Sequence, residues 1–233
     1  MASTITGDWT HAAPQALLRL CQLVSPALPV GAYAYSQGLE LAVHAGWVFD
    51  EATAYEWLSG VSRCAVGTLD LPILARLHSA WMHQDEIRVA HWNARLLAAR
   101  DTAELRAEER HLGQALARVL CELESVHAER WLHTDAAFAT LFSLAAVHWH
   151  IPATATLTGY LWAWSENQML AAVKLVPLGQ SAGQRLLGRL IAAMPSIVAR
   201  ADVLAEEEIA TGAWSQSFAS ALHETQYSRL FRS

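Results

Sequence analysis

Apolar residues recur at intervals of three and four along most of the chain, and few stretches alternate between apolar and polar residues. Near the start, such a stripe is formed by Leu17, Leu20, Cys21 and Val24. This spacing places apolar side chains on one face of an α-helix. We therefore expect an all-α fold, a single-domain bundle of about ten helices that spans residues 1–233.

Residues that begin or interrupt helices divide this pattern into elements. Two prolines in Ser25–Gly31 predict a break after the first helix, and two glycines predict another over residues 178–183. Side chains that accept hydrogen bonds from backbone amides predict helix starts, and the candidates are Ser36, Asp50, Thr102 and Thr134. Pro195 is expected to start a further helix that ends in Glu206–Glu208.

One long stretch resembles a membrane span at first sight. Residues 136–165 contain no Asp, Glu, Lys or Arg, and a spanning helix needs about 20 continuous apolar residues. Histidines, Pro152 and a threonine-rich patch interrupt the run midway. We therefore expect two core helices joined near Ile151 and Pro152, and no contact with a membrane.

Composition limits the classes of partner and the compartment. The formal net charge is −6 and the pI is near 6.0, which does not favour nucleic acid. The three cysteines lie far apart without a CxxC pair, which is typical of a reducing compartment, so a cytoplasmic location is expected. Residues 1–12 show no signal peptide and are interpreted as a flexible leader.

The sequence offers little catalytic chemistry. Its single lysine, Lys174, follows no glycine-rich phosphate-binding turn, and neither GxGxxG nor HExxH occurs. No cofactor, no metal and no active site are therefore expected. Among the eleven histidines, His148 and His150 form the closest pair, and a metal-binding hydrolase that uses them is kept as an alternative.

Two segments carry residue types that suit recognition of a partner. Residues 177–185 place two glutamines and an arginine around two glycines, just after the only lysine. Residues 223–233 place aromatic and aliphatic residues between arginines. An ordinary loop and a tail docked on its own domain are the competing interpretations.

Four segments together resemble the urease accessory protein UreF family. They are SPALPVGAYAYSQGLE (25–40), ELRAEER (104–110), AAVKLVPLGQSAGQR (171–185) and HETQYSRLFRS (223–233), in the family's order. The chain departs from the family pattern by Ala34, where serine is common, and by its leader. The resemblance implies an all-α homodimer that bridges UreD (also called UreH) and the GTPase UreG, so that nickel reaches apo-urease.

The resemblance also implies two sets of partner-binding residues. The set facing UreG comprises Tyr35, Ser36, Glu40, Lys174, Gln180, Gln184 and Arg185. The set facing UreD comprises Tyr227, Ser228, Arg229, Leu230, Phe231 and Arg232, in a tail (residues 224–233) that is expected to order on partner binding. A purely structural helical scaffold remains a further alternative.

Overall fold

The protein is all-helical in a computed structural model that describes residues 14–123, 128–210 and 212–233. The helices are α1 (Pro14–Leu23), α2 (Leu39–His44), α3 (Glu51–Val61), α4 (Leu71–Met82), α5 (Glu86–Ala98), α6 (Ala103–Glu122), α7 (Phe138–His148), α8 (Ala153–Leu175), α9 (Gln180–Val203) and α10 (Trp214–His223). A π-helical segment (Ser62–Asp70) joins α3 to α4. Over these ranges there is no β-strand, which confirms the predicted all-α class. The expected leader lies outside the described residues.

The core forms where α4, α7 and α8 meet. Helix α4 packs on α7, α7 packs on α6, and α8 packs along α9. Fully buried side chains at this centre are Leu74, Leu77, Leu116, Phe142 and Leu161. Burial of these apolar side chains provides the hydrophobic stabilisation of the bundle.

The uncharged stretch consists of two core helices, as predicted. Helix α7 ends at His148 and α8 begins at Ala153, so the junction contains Ile151 and Pro152. His150 turns the chain with a φ of 55°. No helix in the described parts of the chain is both long and apolar enough to cross a membrane.

Two of the four predicted caps, Asp50 and Thr102, are confirmed. The amide of Thr53 donates to Asp50 Oδ1 at 2.8 Å at the start of α3. The amide of Leu105 donates to Thr102 Oγ1 at 3.2 Å at the start of α6. Both caps act on an amide three positions away, which explains why the sequence reveals them. The prediction for Ser36 is wrong, because Gly38 is the N-cap of α2 and has no side-chain cap, although Ser36 Oγ accepts from the amide of Glu40 at 3.2 Å.

The predicted helix start at Thr134 is wrong. Helix α7 begins at Phe138, whose amide donates to Glu109 Oε1 at 2.8 Å. The preceding amide, of Ala137, donates to Asn93 Oδ1 at 2.8 Å. The first turn of α7 is therefore capped by side chains of α5 and α6 and needs no local cap.

The predicted helix start at Pro195 is also wrong, because Pro195 lies inside α9. An interior proline removes one backbone hydrogen bond and costs about 3 kcal/mol. Buried apolar residues continue at helical spacing on both sides of it, and these are Leu187, Leu190, Met194, Ile197 and Val198. Their burial offsets the cost, and Glu206–Glu208 forms a separate 3₁₀ turn beyond the helix end.

The break predicted over residues 178–183 is shorter than expected. Helix α9 already begins at Gln180, so only residues 176–179 connect it to α8. Gly183 lies within α9, where an added Cβ would come within 2.7 Å of Val173 on α8. This glycine therefore allows close helix packing and does not interrupt the helix.

A pair of glycine substitutions tests the packing of α6 on α7. At Gly113, an added Cβ would lie 1.9 Å from the carbonyl oxygen of Ala136, so Gly113→Ala is expected to destabilise the protein by about 3 kcal/mol or more. At the exposed Gly188 on α9, nothing lies within 4 Å, so Gly188→Ala should stabilise by about 0.5–1 kcal/mol. Urea unfolding measures both, and a stable Gly113→Ala variant would contradict the close approach of these elements.

Candidate partner-binding site

The last seven residues, which we call the tail segment (residues 227–233), lie against the body of the protein. Phe231 and Ser233 are buried. The amide of Arg232 donates to the carbonyl oxygen of Ala34 at 2.8 Å. The amide of Ser36 donates to the main-chain oxygen of Ser233, also at 2.8 Å. The hydroxyl of Ser36 donates to the same Ser233 oxygen at 2.6 Å. Backbone groups therefore supply much of the contact.

Glu40 on α2 binds two successive amides of the tail segment. The amide of Leu230 donates to Glu40 Oε1 at 2.6 Å, and the amide of Phe231 donates to Glu40 Oε2 at 2.8 Å. The carboxylate is buried. Because each oxygen receives its own amide, this one side chain fixes the path of the backbone.

Behind Glu40 lies a buried group that we call the His223 cluster (His223, Glu40 and Glu104). His223, the last residue of α10, is fully buried. Its Nδ1 lies 2.7 Å from Glu104 Oε2, and its Nε2 lies 3.3 Å from Glu40 Oε2. Arg229 Nη1 donates to the other oxygen of Glu104 at 2.6 Å. The cluster joins α2, α6, α10 and the tail segment.

Glu108, one turn after Glu104 on α6, contacts the end of the tail segment. Its Oε1 accepts from Gln37 Nε2 at 2.8 Å, and its Oε2 accepts from Ser233 Oγ at 2.9 Å. Burial raises the pKa of Glu108 to about 7, against the effect of these two hydrogen bonds, which lower it. Gln37 in turn accepts from Trp164 Nε1 at 2.8 Å, which connects the site to α8.

A second buried polar group lies deeper in the protein. Arg100 binds the carboxylates of Asp70 and Glu109, and Tyr160 donates to Asp70 Oδ1 at 3.3 Å. Burial disfavours the charge on Arg100, but these carboxylates outweigh it and raise the pKa of the guanidinium well above its ordinary value. Together with Glu108, this group lines a cavity of about 120 Å³. The ion pairs connect the π-helical segment, the residues before α6 and α6 itself, and the Tyr160 hydrogen bond adds α8.

The residues predicted to face UreG fall into two groups. Tyr35, Ser36 and Glu40 are buried beside the tail segment. Lys174 is exposed near the end of α8, and its Nζ lies 5.6 Å from the ring centroid of Phe231. These four predicted residues are therefore brought together with the tail segment.

The second group lies on the first turns of α9. Gln180, Gln184 and Arg185 are exposed there, and Arg185 Nη2 donates to Glu51 Oε2 at 2.6 Å. No hydrogen bond described for this group reaches the tail segment. The sequence motif around Gly179 thus contributes to a separate surface at the start of α9.

The side chains of the tail segment point largely outward. Tyr227 is fully exposed and Leu230 is 67% exposed, whereas Phe231 is buried under Lys174. Docking on the protein's own domain, the competing interpretation, is what the single chain shows. Ordering against a partner stays a prediction.

Three residues of this site are missing from the predicted set. Glu104, Glu108 and His223 lie within the quoted motifs but were not assigned a role. The spacing of Glu104 and Glu108 puts both carboxylates on one face of α6, and a histidine directly before the tail was a second available signal. Charged residues at such spacing usually lie on the solvent-exposed face of a helix, so the sequence alone does not indicate that Glu104 and Glu108 are buried in a site.

Two sequence features would suit an enzyme, a histidine-based metal site and a nucleophile elbow. In the described ranges no group of three or more His, Cys, Asp or Glu side chains could hold a metal ion, and this includes the surroundings of His150. Residues 179–183, Gly-Gln-Ser-Ala-Gly, match the GxSxG pattern of a nucleophile elbow. That elbow joins a strand to a helix, whereas here α8 precedes the segment.

These contacts define a helical protein whose polar interior positions a chain segment at the surface, an arrangement suited to recognition of other proteins. Residues 48–191 match the family model described as UreF. The urease accessory protein UreF of Alkalilimnicola ehrlichii is 49% identical over 216 residues, which cover 92% of this chain and 95% of that protein. The corresponding protein of Hahella chejuensis is 48% identical over 220 residues, covering 94% and 99%. The chain therefore belongs to the UreF family.

The pKa of Glu108 predicts a pH-dependent stability. A carboxyl whose folded pKa is raised favours the folded state in its protonated form. As the pH rises from about 4.5 to about 7, the wild type should lose on the order of 3 kcal/mol relative to Glu108→Gln. Urea unfolding of both proteins at a series of pH values measures this difference. The exposed Glu56 provides the control variant Glu56→Gln, and parallel stability curves for wild type and Glu108→Gln would contradict the assignment.

Proposed function

We propose that this chain is a urease accessory protein that bridges UreD (UreH) and the GTPase UreG, so that nickel is delivered to apo-urease. Membership of the UreF family supports this role. The observation that carries it is the contact between the two predicted residue sets. Tyr35, Ser36, Glu40 and Lys174 all lie against the tail segment, so a partner bound at one set changes the surroundings of the other.

The tail segment is the proposed binding site for UreD. Its backbone is held by Glu40, Ala34 and Ser36, which leaves the side chains of Tyr227 and Leu230 facing outward. Aromatic and aliphatic side chains presented on an ordered backbone lose less conformational entropy on binding than a free tail would. UreD that binds these side chains also stabilises the docked tail.

The surface around Lys174 and the start of α9 is the proposed site for UreG. Lys174 lies exposed on Phe231 of the docked tail, so tail docking determines how its charge is presented. By linkage, UreD that favours docking also favours UreG binding, and the effect is reciprocal. The protein acts as the site at which the two binding events are coupled.

Its effect on UreG is proposed to be regulatory and non-catalytic. Arg185, the arginine nearest this surface in the motif, is paired with Glu51 and would have to leave that pair to reach a phosphate. Preferential binding of one nucleotide state shifts the population of UreG without chemistry. Homodimerisation and a cytoplasmic location complete the proposal, in keeping with the family.

Deletion of residues 227–233 tests the UreD site. The truncated chain is expected to lose co-purification with UreD, because the outward side chains are gone, while its helical circular dichroism is retained. Glu40→Gln should weaken binding at least tenfold, because the amide nitrogen cannot accept from the tail backbone. The exposed Arg118 on α6 provides the control variant Arg118→Ala. Normal co-purification of the truncated chain with UreD would refute this assignment.

Substitution of the single lysine tests the UreG site. Lys174→Ala is expected to weaken binding of UreG to the complex by about tenfold, with UreD binding unchanged, because it removes an exposed charge and leaves the tail backbone bonds intact. The measurement is co-purification with UreG loaded with GDP or with a GTP analogue. Equal binding of UreG in the two nucleotide states would instead support a purely structural scaffold.

A further inference from the structure

The hydrogen bonds of the His223 cluster require an extra proton. Both ring nitrogens of His223 face carboxylate oxygens, of Glu104 and of Glu40. An ionised carboxylate only accepts hydrogen bonds, and a neutral imidazole has one N–H donor. Both contacts can be made only if the cluster holds one proton more than a neutral imidazole and two carboxylates.

The balance of charge leads to the same conclusion. The two carboxylates and the ring are almost completely shielded from water, and Arg229 supplies one positive charge through Glu104. With the extra proton, the four groups sum to zero. Without it, a net negative charge stays buried, and a ring nitrogen lone pair faces a carboxylate oxygen at close range. Both effects are costly in a low-dielectric interior.

Loss of the proton bears directly on the tail segment. His223 ends α10 and lies four residues before Tyr227, and Glu40 Oε2 accepts from both the ring and the amide of Phe231. When the His223 ring leaves its place between Glu40 and Glu104, the chain at the start of the tail segment moves with it. Glu40, which binds the tail amides, then also loses its contact with the ring.

We propose that the His223 cluster is a proton-dependent anchor, which holds the tail segment on the body when it carries the extra proton and releases it when that proton is lost. Docking of the tail thus takes up a proton, and a rise in pH weakens it. This inference concerns only the contact between tail and body, so it does not depend on the proposed partners.

One further ionisable group with a shifted pKa contacts the tail segment. Glu108 on α6, whose burial raises its pKa to about 7, accepts a hydrogen bond from Ser233. The remaining charged or titratable side chains that face the tail are Lys174 on α8, Tyr35 before α2, and Arg229 and Arg232 within the tail itself. Lysine and arginine keep their charge through the neutral range, so the pH response comes from the cluster and from Glu108.

Hydrogen exchange of the tail segment tests the proposal. The amides of Leu230, Phe231 and Arg232 are all hydrogen-bonded in the docked state. Exchange of the full-length protein is followed by mass spectrometry between pH 5.5 and 8.5, and each rate is divided by that of a free peptide of the same sequence. The protection of these amides should fall as the pH rises, by at most about tenfold per pH unit where docking takes up one proton.

Four variants identify the group responsible. His223→Gln has no imidazole ring, so the protection of the tail amides is expected no longer to depend on pH through the cluster. Glu104→Gln is the decisive variant, because its amide can donate to Nδ1 of a neutral ring, so the tail should stay protected without the extra proton and without the slope. Glu108→Gln removes only the contribution of Glu108, and His91→Gln, on the exposed face of α5, is the control. Protection that is independent of pH in the wild type, or an unchanged slope in Glu104→Gln, would overturn the proposal.

Discussion

The first two turns of α6 place three carboxylates inside the protein, and together they connect the helix to α10, to the tail segment and to α7. Glu104 meets His223 and Arg229, Glu108 meets Gln37 and the end of the tail, and Glu109 meets Arg100 and the first amide of α7. A buried carboxylate without its partners costs several kcal/mol. The elements around α6 therefore have to be in place together, which makes this helix the support of the whole site.

These buried charges position the helices more than they stabilise the folded state. Burial of a well-matched ion pair is often close to neutral in free energy compared with apolar packing. Arg100 and its carboxylates fix the positions of the π-helical segment and the start of α6 relative to each other, and α8 joins them through Tyr160. The apolar core holds the helices together, and the buried charges decide their register.

The sequence predicts what is decided locally and misses what distant residues decide. Asp50 and Thr102 were correct caps because their partners lie three residues away. Thr134 failed because Glu109, on another helix, caps α7, and Pro195 failed because an apolar face continues across it. The tail and Lys174 were both recognised by motif, but their contact spans 57 residues of sequence and could not be derived from spacing. The cluster around His223 was hidden in a helix that looked like an ordinary charged surface.

The way Glu40 holds the tail has a consequence for how this surface can evolve. Its two oxygens bind backbone amides, which every residue except proline possesses, so the contact does not distinguish one side chain from another at position 230. The tail side chains buried against the body are those of Phe231 and Ser233. Exchange of the outward side chains therefore alters what the protein displays without altering the route of the chain. The same backbone arrangement can in this way present different side chains to different partner surfaces.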